Sequence, residues 1–326
     1  MKSEILSLLR ERGDYVSGQE LCKRFGVSRT AVWKAVNQLK KEGYAIEAVP
    51  NRGYLLTEGT ELYGKNELES RMETVWAGRR VLFFDSLNST NLRAKQEAEN
   101  GAAQGTVVVA DMQTAGRGRR GRSWSSPPGT NVYFTLILKP KYEPDKASMV
   151  TLVMALAVAA GIRQTCGAQA LIKWPNDIVI DGKKVCGILT EMSVERDYIH
   201  YVVSGVGINV GRQEFPPEIA ATAVCLEEVC GEKVSRAALI VNVMRYFEEY
   251  YEKFCERTDL SGVLEDYNRL LINRDREICV LDPKGNYRGI SKGINSVGEL
   301  LVELEDGSTV NVYAGEVSVR GVYGYT

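Results

Sequence analysis

From Ala147 to Ile162 the chain is apolar almost without interruption, bounded by Lys146 and Arg163. The run is shorter than the roughly 18–20 residues that cross a bilayer, and a helix apolar around its whole circumference must be covered on every side. A buried helix of a globular chain is therefore expected, with no membrane partner. A length of 326 residues leaves room for two or three domains around such cores. Met1 is followed by Lys2 and Glu4 with no apolar segment, so no secretory signal is expected. The seven cysteines include no CxxC pair and read as reduced thiols of a cytoplasmic protein.

A single histidine, His200, removes whole classes of chemistry. Histidine-dependent hydrolases, histidine-rich zinc sites and histidine general bases would all have to run through that one residue. Catalysis, if present, falls to lysine, arginine, carboxylates or backbone groups.

The first sixty residues read as a winged helix-turn-helix. Ile5, Leu8 and Leu9 share one face of a helix that Gly13 and Asp14 end. Ser17 followed by Glu20 is a capping box, with Leu21 and Phe25 at helical spacing behind it. Ser28 is the N-cap of a third helix whose inward stripe is Val32, Val36 and Leu39. Arg29, Thr30, Trp33, Lys34, Asn37 and Lys41 occupy its other face, a set suited to phosphates and base edges, with Trp33 equally suited to bracing the helix. Tyr44 to Leu56 alternates as a hairpin, with Arg52 at its Pro50–Gly53 tip. Met1–Leu56 carries ten basic and six acidic residues, a net +4 against a whole-chain charge of −1, so the positive field is localised. Ser28, Arg29, Thr30, Trp33, Lys34, Asn37 and Arg52 are the candidate DNA contacts.

Beyond a polar linker, expected over 61–76 and with room for a short helix, the texture becomes that of a mixed α/β domain. Val81–Phe84 reads as a strand, Asp85–Asn91 as a polar turn and Leu92–Glu99 as a helix. The hydroxyls and amide of Ser89, Thr90 and Asn91 suit either a helix cap or an uncharged polar ligand. A strand from Thr106 to Ala110 feeds Gln113 and then Gly116-Arg-Gly-Arg-Arg-Gly121, Arg122 and Trp124. The glycine spacing matches a dinucleotide fingerprint, but that loop must open a helix. Here Pro127-Pro128-Gly129 and another strand, Asn131–Leu138, follow instead. Four arginines in six residues offer bidentate donors to an anion, and their mutual repulsion predicts a loop that is mobile when empty.

Further on, Leu171–Trp174, Ile178–Ile180 and Lys184–Glu191 read as strands, the last two joined across Asp181-Gly182. This places Lys173 and Lys184 on neighbouring strands with Asn176 and Asp177 at the end between them, either a structural ion pair or a clamp for phosphates and Mg2+. Tyr201–Ser204 runs into Gly205-Val-Gly207-Ile-Asn209, whose small residues permit close approach to a flat ligand. Residues 220–271 read as helical and structural. From Ile272 a series of short strands reads as a small antiparallel barrel.

Taken in order, Ser89-Thr90-Asn91, the Gly116–Gly121 loop with Trp124, Lys173-Trp-Pro-Asn-Asp177, Lys184-Val-Cys-Gly187-Ile and Gly205-Val-Gly-Ile-Asn209 resemble the motif set of biotin–protein ligases. With the winged helix, the whole chain is similar to the bacterial bifunctional type. The resemblance implies an α+β multidomain fold: a winged helix (1–60), the linker, a biotin/lipoate-ligase-like catalytic domain (77–271) and an SH3-like C-terminal domain (272–326). It implies that biotin and ATP, with Mg2+, give biotinyl-5′-AMP, which passes to a lysine of a biotin carboxyl carrier protein of acetyl-CoA carboxylase, or a pyruvate carboxylase carrier domain. It further implies that the adenylate is a corepressor that promotes a homodimer on operator DNA. By position, Ser89, Thr90, Asn91, Gln113, Arg117, Gly118, Arg119, Lys184, Gly205 and Gly207 would contact biotin. Arg119, Arg122, Trp124, Lys173, Asn176, Asn209 and Arg320 would serve the nucleotide, and Glu316 lies in the same C-terminal motif as Arg320. Lys184, Lys173 and Arg119 would act in catalysis, and Asp177 would contact the metal. The alternative is a ligand-sensing transcription factor that binds without transferring.

Overall fold

The computed structural model describes residues 1–57, 59, 62–282 and 285–314, with the backbone of 318–321. The chain forms two compact units, Met1–Glu73 and Thr74–Thr326.

In the first unit, helices α1 (Lys2–Arg12), α2 (Gly18–Phe25) and α3 (Arg29–Lys41) precede the hairpin β1 (Ile46–Val49) and β2 (Gly53–Leu56). Local chemistry sets the helix starts as expected. Ser17 Oγ accepts from the Glu20 amide at 3.1 Å, and Ser28 Oγ from the Ala31 amide at 3.2 Å. The apolar stripes meet in one core containing Ile5, Leu9, Leu21, Val32, Val36 and Leu39. Within the expected linker lies helix α4 (Lys65–Arg71), a short helix that the stretch allowed. Its Glu67 is buried and pairs with both Arg10 and Arg71, and its Ser70 hydroxyl accepts from Arg10, so α4 belongs to the first unit. Polar composition hid this, because the helix is held by ion pairs more than by an apolar stripe.

The second unit opens at a buried anchor: the Glu248 carboxylate accepts from the backbone amides of Val75, Trp76 and Ala77 at 2.7, 2.7 and 2.9 Å. Then follow β3 (Arg80–Leu87), α5 (Thr90–Glu99), β4 (Thr106–Gln113), β5 (Val132–Leu138), α6 (Val150–Cys166), β6 (Leu171–Lys173), β7 (Asp177–Ile180), β8 (Lys183–Glu195) and β9 (Tyr198–Ile208). They form a seven-stranded sheet in the order β3-β4-β5-β9-β8-β7-β6, parallel only between β3 and β4. Strand order corrects one expectation: β7 lies between Lys173 on β6 and Lys184 on β8, so the two lysines are not on adjacent strands. Two boundaries also move. Strand β3 runs through Asp85 and Ser86 to Leu87, while Gly205 and Gly207 lie inside β9 rather than beyond it.

Helix α6 carries the apolar run that constrained the fold. With the preceding turn, Pro144–Cys166 is long and apolar enough to cross a membrane, more than the run alone indicated. It is nevertheless core: Leu152 through Ala159 are all buried. Helices α7 (Leu226–Cys230), α8 (Arg236–Arg257) and α9 (Leu264–Leu270) follow, and α6 packs closely on α8. A Cβ at Gly161 would stand 2.6 Å from Val243 Cγ2. Strands β10 (Glu277–Leu281), β11 (Tyr287–Ile294), β12 (Leu300–Glu303), β13 (Thr309–Val312) and β14 (Ser318–Gly321) make a five-stranded antiparallel sheet in the order β13-β12-β11-β10-β14. It belongs to the same compact unit as the larger sheet, to which Trp174 Nε1 ties it by donating to Gly298 O at 3.1 Å. All seven cysteines are free thiols.

Candidate active site

Strands β9 and β8 present small residues where bulk would be expected, and the reason is visible around Trp124. A Cβ at Gly207 would stand 2.5 Å from Trp124 Nε1, and one at Gly187 2.9 Å from Trp124 Cζ3. The glycines form a floor, and the indole lies on it. Above the floor is a cavity of about 290 Å³, a volume suited to a small organic ligand.

One end of the cavity is polar and uncharged. Ser89, Thr90 and Asn91 are all nearly buried at the start of α5. Gln113 Oε1 accepts from the Thr90 amide at 2.9 Å and from its hydroxyl at 3.1 Å, while Gln113 Nε2 donates to Ser126 Oγ at 2.9 Å. Asn91 uses both amide protons on the protein, to Leu189 O at 3.1 Å and Glu191 Oε2 at 2.8 Å. It has no proton left to donate to a ligand.

The opposite end is cationic. Arg117, Arg119, Arg122, Lys173 and Lys184 all line the cavity. Lys184 Nζ lies 2.6 Å from Asp177 Oδ1 and 5.4 Å from the centre of the Trp124 ring. Arg119 donates to Asn176 Oδ1 at 2.8 Å, and Asn176 Nδ2 donates to Asp177 Oδ1 at 3.1 Å. A continuous chain Arg119–Asn176–Asp177–Lys184 therefore crosses the strand ends. Burial lowers the Arg119 guanidinium's pKa, an effect the Asp177 charge opposes. Arg119 also donates to Ala314 O at 2.7 Å, linking the loop to the C-terminal sheet.

The arginine loop itself is closed by backbone bonds, Gly118 N to Arg122 O at 2.7 Å and Trp124 N to Gly116 O at 2.9 Å. They hold the backbone of the loop together against the mutual repulsion of its arginines. Asn209 lines the cavity as expected, donating through Nδ2 to Val224 O at 3.3 Å. The side chain of Arg320 and the whole of Glu316 lie outside the described residues. Segment 213–223, read as structural in its later part, also faces the cavity through Phe215, Ile219 and Ala223. Its apolar content alone carried no functional signal. His200, near the start of β9, does not line the cavity; its Nε2 lies 3.3 Å from Glu195 Oε2.

In the first unit, Arg29, Thr30, Trp33 and Lys34 are exposed on α3 and Asn37 is half-buried. Trp33 is 58 % exposed, so it does not brace the helix. Ser28 spends a lone pair on its cap, and Arg52 stacks 4.0 Å from the centre of the Tyr15 ring at the wing.

A fold with a cavity read this way belongs among the adenylate-accommodating ligases joined to a DNA-binding module, and comparison with known proteins agrees. Residues 83–209 match the biotin/lipoate A/B protein ligase family, 2–55 a helix-turn-helix domain and 275–320 the biotin protein ligase C-terminal domain. The bifunctional ligase/repressor BirA of Bacillus subtilis is 38 % identical over 324 residues, 98 % of each chain. BirA of Escherichia coli is 29 % identical over 97 % of this chain and 96 % of its own. The biotin protein ligase of Aquifex aeolicus, solved with biotin and ATP, superposes with a TM-score of 0.66 at 30 % identity, covering 74 % of this chain and 99 % of that one. The chain belongs to the biotin–protein ligase family, in its bifunctional ligase/repressor form.

Proposed function

We propose that the protein is an ATP-dependent biotin–protein ligase that also represses transcription, with biotinyl-5′-AMP as the species common to both activities. One observation carries the ligase reading: a single cavity joins an uncharged hydrogen-bonding end at Ser89, Thr90 and Gln113 to a cationic end at Arg119, Lys173 and Lys184, with Trp124 lying over glycine between them. Biotin would place its ring system at the first end and its carboxylate toward the second.

A carboxylate oxygen then attacks the α-phosphorus of ATP, and the bond to pyrophosphate breaks. Two anions meet in this step, and fixed cationic donors are the groups that stabilise the charge as it grows. Lys184, Lys173 and Arg119 fill that role, with Trp124, Arg122, Asn176 and Asn209 assigned to the nucleotide. In the second step the amine of the carrier lysine attacks the activated carbonyl, AMP leaves, and the amine loses a proton. Proximity supplies much of this acceleration, because the adenylate is already held.

Magnesium would come to the site with the nucleotide. The described residues contain no group of three or more acidic, histidine or cysteine side chains placed to hold a metal ion. That set fits an ion carried chiefly by phosphate oxygens and water, with one protein carboxylate, which would be Asp177. Bound there, the ion would neutralise phosphate charge.

The first unit is assigned to operator DNA through Arg29, Thr30, Lys34 and Asn37 on α3 and Arg52 on the wing. An adenylate-dependent homodimer would double that contact. Exposed Met192, Val194 and Tyr198 on the β8–β9 hairpin are one apolar surface that could serve it. Incubation of the full chain with biotin, MgATP and a biotin carboxyl carrier domain tests the reading. Mass spectrometry should find biotin on one carrier lysine, and an unmodified carrier would refute ligase activity.

A further inference from the structure

A run of hydrogen bonds leaves the uncharged end of the cavity and finishes at an ion pair outside it. Lys95 Nζ lies 2.6 Å from Glu191 Oε1, and Glu191 Oε2 accepts from Asn91 Nδ2 at 2.8 Å. The second proton of that amide goes to Leu189 O at 3.1 Å. A carboxylate and a carbonyl accept only, so the Asn91 nitrogen must face them and its oxygen must turn the other way. That oxygen lies against Gly205, where a Cβ would come within 1.9 Å of it, and it accepts from the Thr135 hydroxyl at 2.7 Å.

Thr135 has one proton, and Asn91 Oδ1 takes it. Thr135 Oγ1 also stands 2.9 Å from Thr90 Oγ1 in a geometry that allows donation, but one proton serves one bond, and the shorter one to Asn91 leaves Thr135 an acceptor toward Thr90. Gln113 Oε1, 3.1 Å away, is also an acceptor. Both protein neighbours of the Thr90 hydroxyl thus draw its proton inward, and Thr90 turns a lone pair toward the cavity.

We propose that Glu191 and Thr135 are positioning residues that set the hydrogen-bond polarity of this end of the cavity, making Thr90 an acceptor that selects a ligand N–H donor. The proposal rests on the reading that the ureido ring of biotin occupies this end. Neither residue lines the cavity, so each acts through Asn91 and Thr90. Burial raises the Glu191 carboxyl's pKa, but hydrogen bonds from Lys95 and Asn91 and the charges of Lys95 and Arg117 more than offset this, keeping it ionised at neutral pH. Thr135 is fully buried and is the only hydroxyl in the apolar strand β5 apart from that of Tyr133.

The test compares the full chain with Glu191→Gln and Thr135→Val in adenylate formation, following pyrophosphate release. Biotin is compared with biotin methylated at either ureido nitrogen. In each variant the KM for biotin should rise about tenfold, as for one lost hydrogen bond. The KM for ATP and kcat should stay unchanged. The wild-type chain should discriminate against methylation at one nitrogen, and that discrimination should shrink in both variants. An unchanged KM for biotin, a KM for ATP that rises in step, or undiminished discrimination would overturn the proposal. Thermal unfolding of both variants reports on the fold; if Thr135→Val does not fold, Glu191→Gln, whose side chain is partly solvent-exposed, decides alone. A wild-type chain showing no saturable dependence on biotin would bring down the assignment of the cavity first, and the relay with it.

Discussion

Substitution of Gly207 by alanine tests the floor of the active site with a single methyl group. The added carbon would stand 2.5 Å from Trp124 Nε1, 2.7 Å from Cε2 and 3.1 Å from Cζ2. Ordinary contact begins at 3.4 Å, so the indole must retreat by about 0.9 Å. It cannot pivot freely, because its backbone is bonded to Gly116 and its carbonyl lies 2.4 Å from where a Gly116 Cβ would be. Overpacking of this kind costs roughly 1–3 kcal/mol. If Trp124 covers the nucleotide, that strain falls on ligand binding. Converted at 1.4 kcal/mol per factor of ten, it raises the KM for ATP by about 5- to 150-fold. Steady-state adenylate formation measures this, with tryptophan fluorescence reporting the shift of the indole. Gly187→Ala, whose Cβ would meet Cζ3 at 2.9 Å, should show a smaller effect of the same kind. A Gly207→Ala protein with wild-type KM values for both ATP and biotin would refute the assignment of Trp124 as a wall of the nucleotide subsite.

Three further outcomes are expected. Lys184→Met should lower the rate of adenylate formation by about 10²–10³, the scale for losing one preorganised donor to developing charge, while Lys184→Arg should retain more activity; equal losses in rapid-quench assays would argue against a charge role. Because the Glu191 carboxyl's pKa is lowered on folding, its ionised form stabilises the native state above the unfolded pKa of about 4.3, and this contribution is lost as pH falls through the folded value. Urea unfolding should therefore find Glu191→Gln destabilised at pH 7 and converging with wild type in acid; a constant gap would contradict the ionised assignment. In the DNA-binding unit, the double variant Arg29→Ala, Lys34→Ala should weaken operator binding and make log K less steep in log salt by about 1–2, as for one or two phosphate contacts; an unchanged slope in fluorescence anisotropy would place both side chains away from phosphate.

Much of the first unit was legible residue by residue. Ser17 and Ser28 cap helices in the structure because a cap needs only an oxygen and an amide three residues later, a relation contained in local sequence. The glycines of the site were likewise visible, although the tryptophan that requires them at Gly187 and Gly207 lies far away in the chain. Two features depend on relations that local pattern does not hold. Lys173 and Lys184 were expected on adjacent strands, whereas β7 runs between them. The packing of helix α4 against α1 was not legible either, because its buried Glu67 depends on Arg10, 57 residues earlier.

Sequence by itself determined the type of most helices and strands, though not all their bounds, where charge would collect, and that one cationic loop would lie between two strands. These follow from side-chain period, capping and composition, all properties of neighbouring residues. Tertiary structure decided which distant groups share a proton or a charge: Arg119 with Asn176, Lys184 with Asp177, and Asn91 with Glu191, 100 residues away. Hydrogen bonds reach about 3 Å and depend on direction. Strand order and register alone bring such partners within that range, so the polarity of the site emerges only once the sheet is assembled.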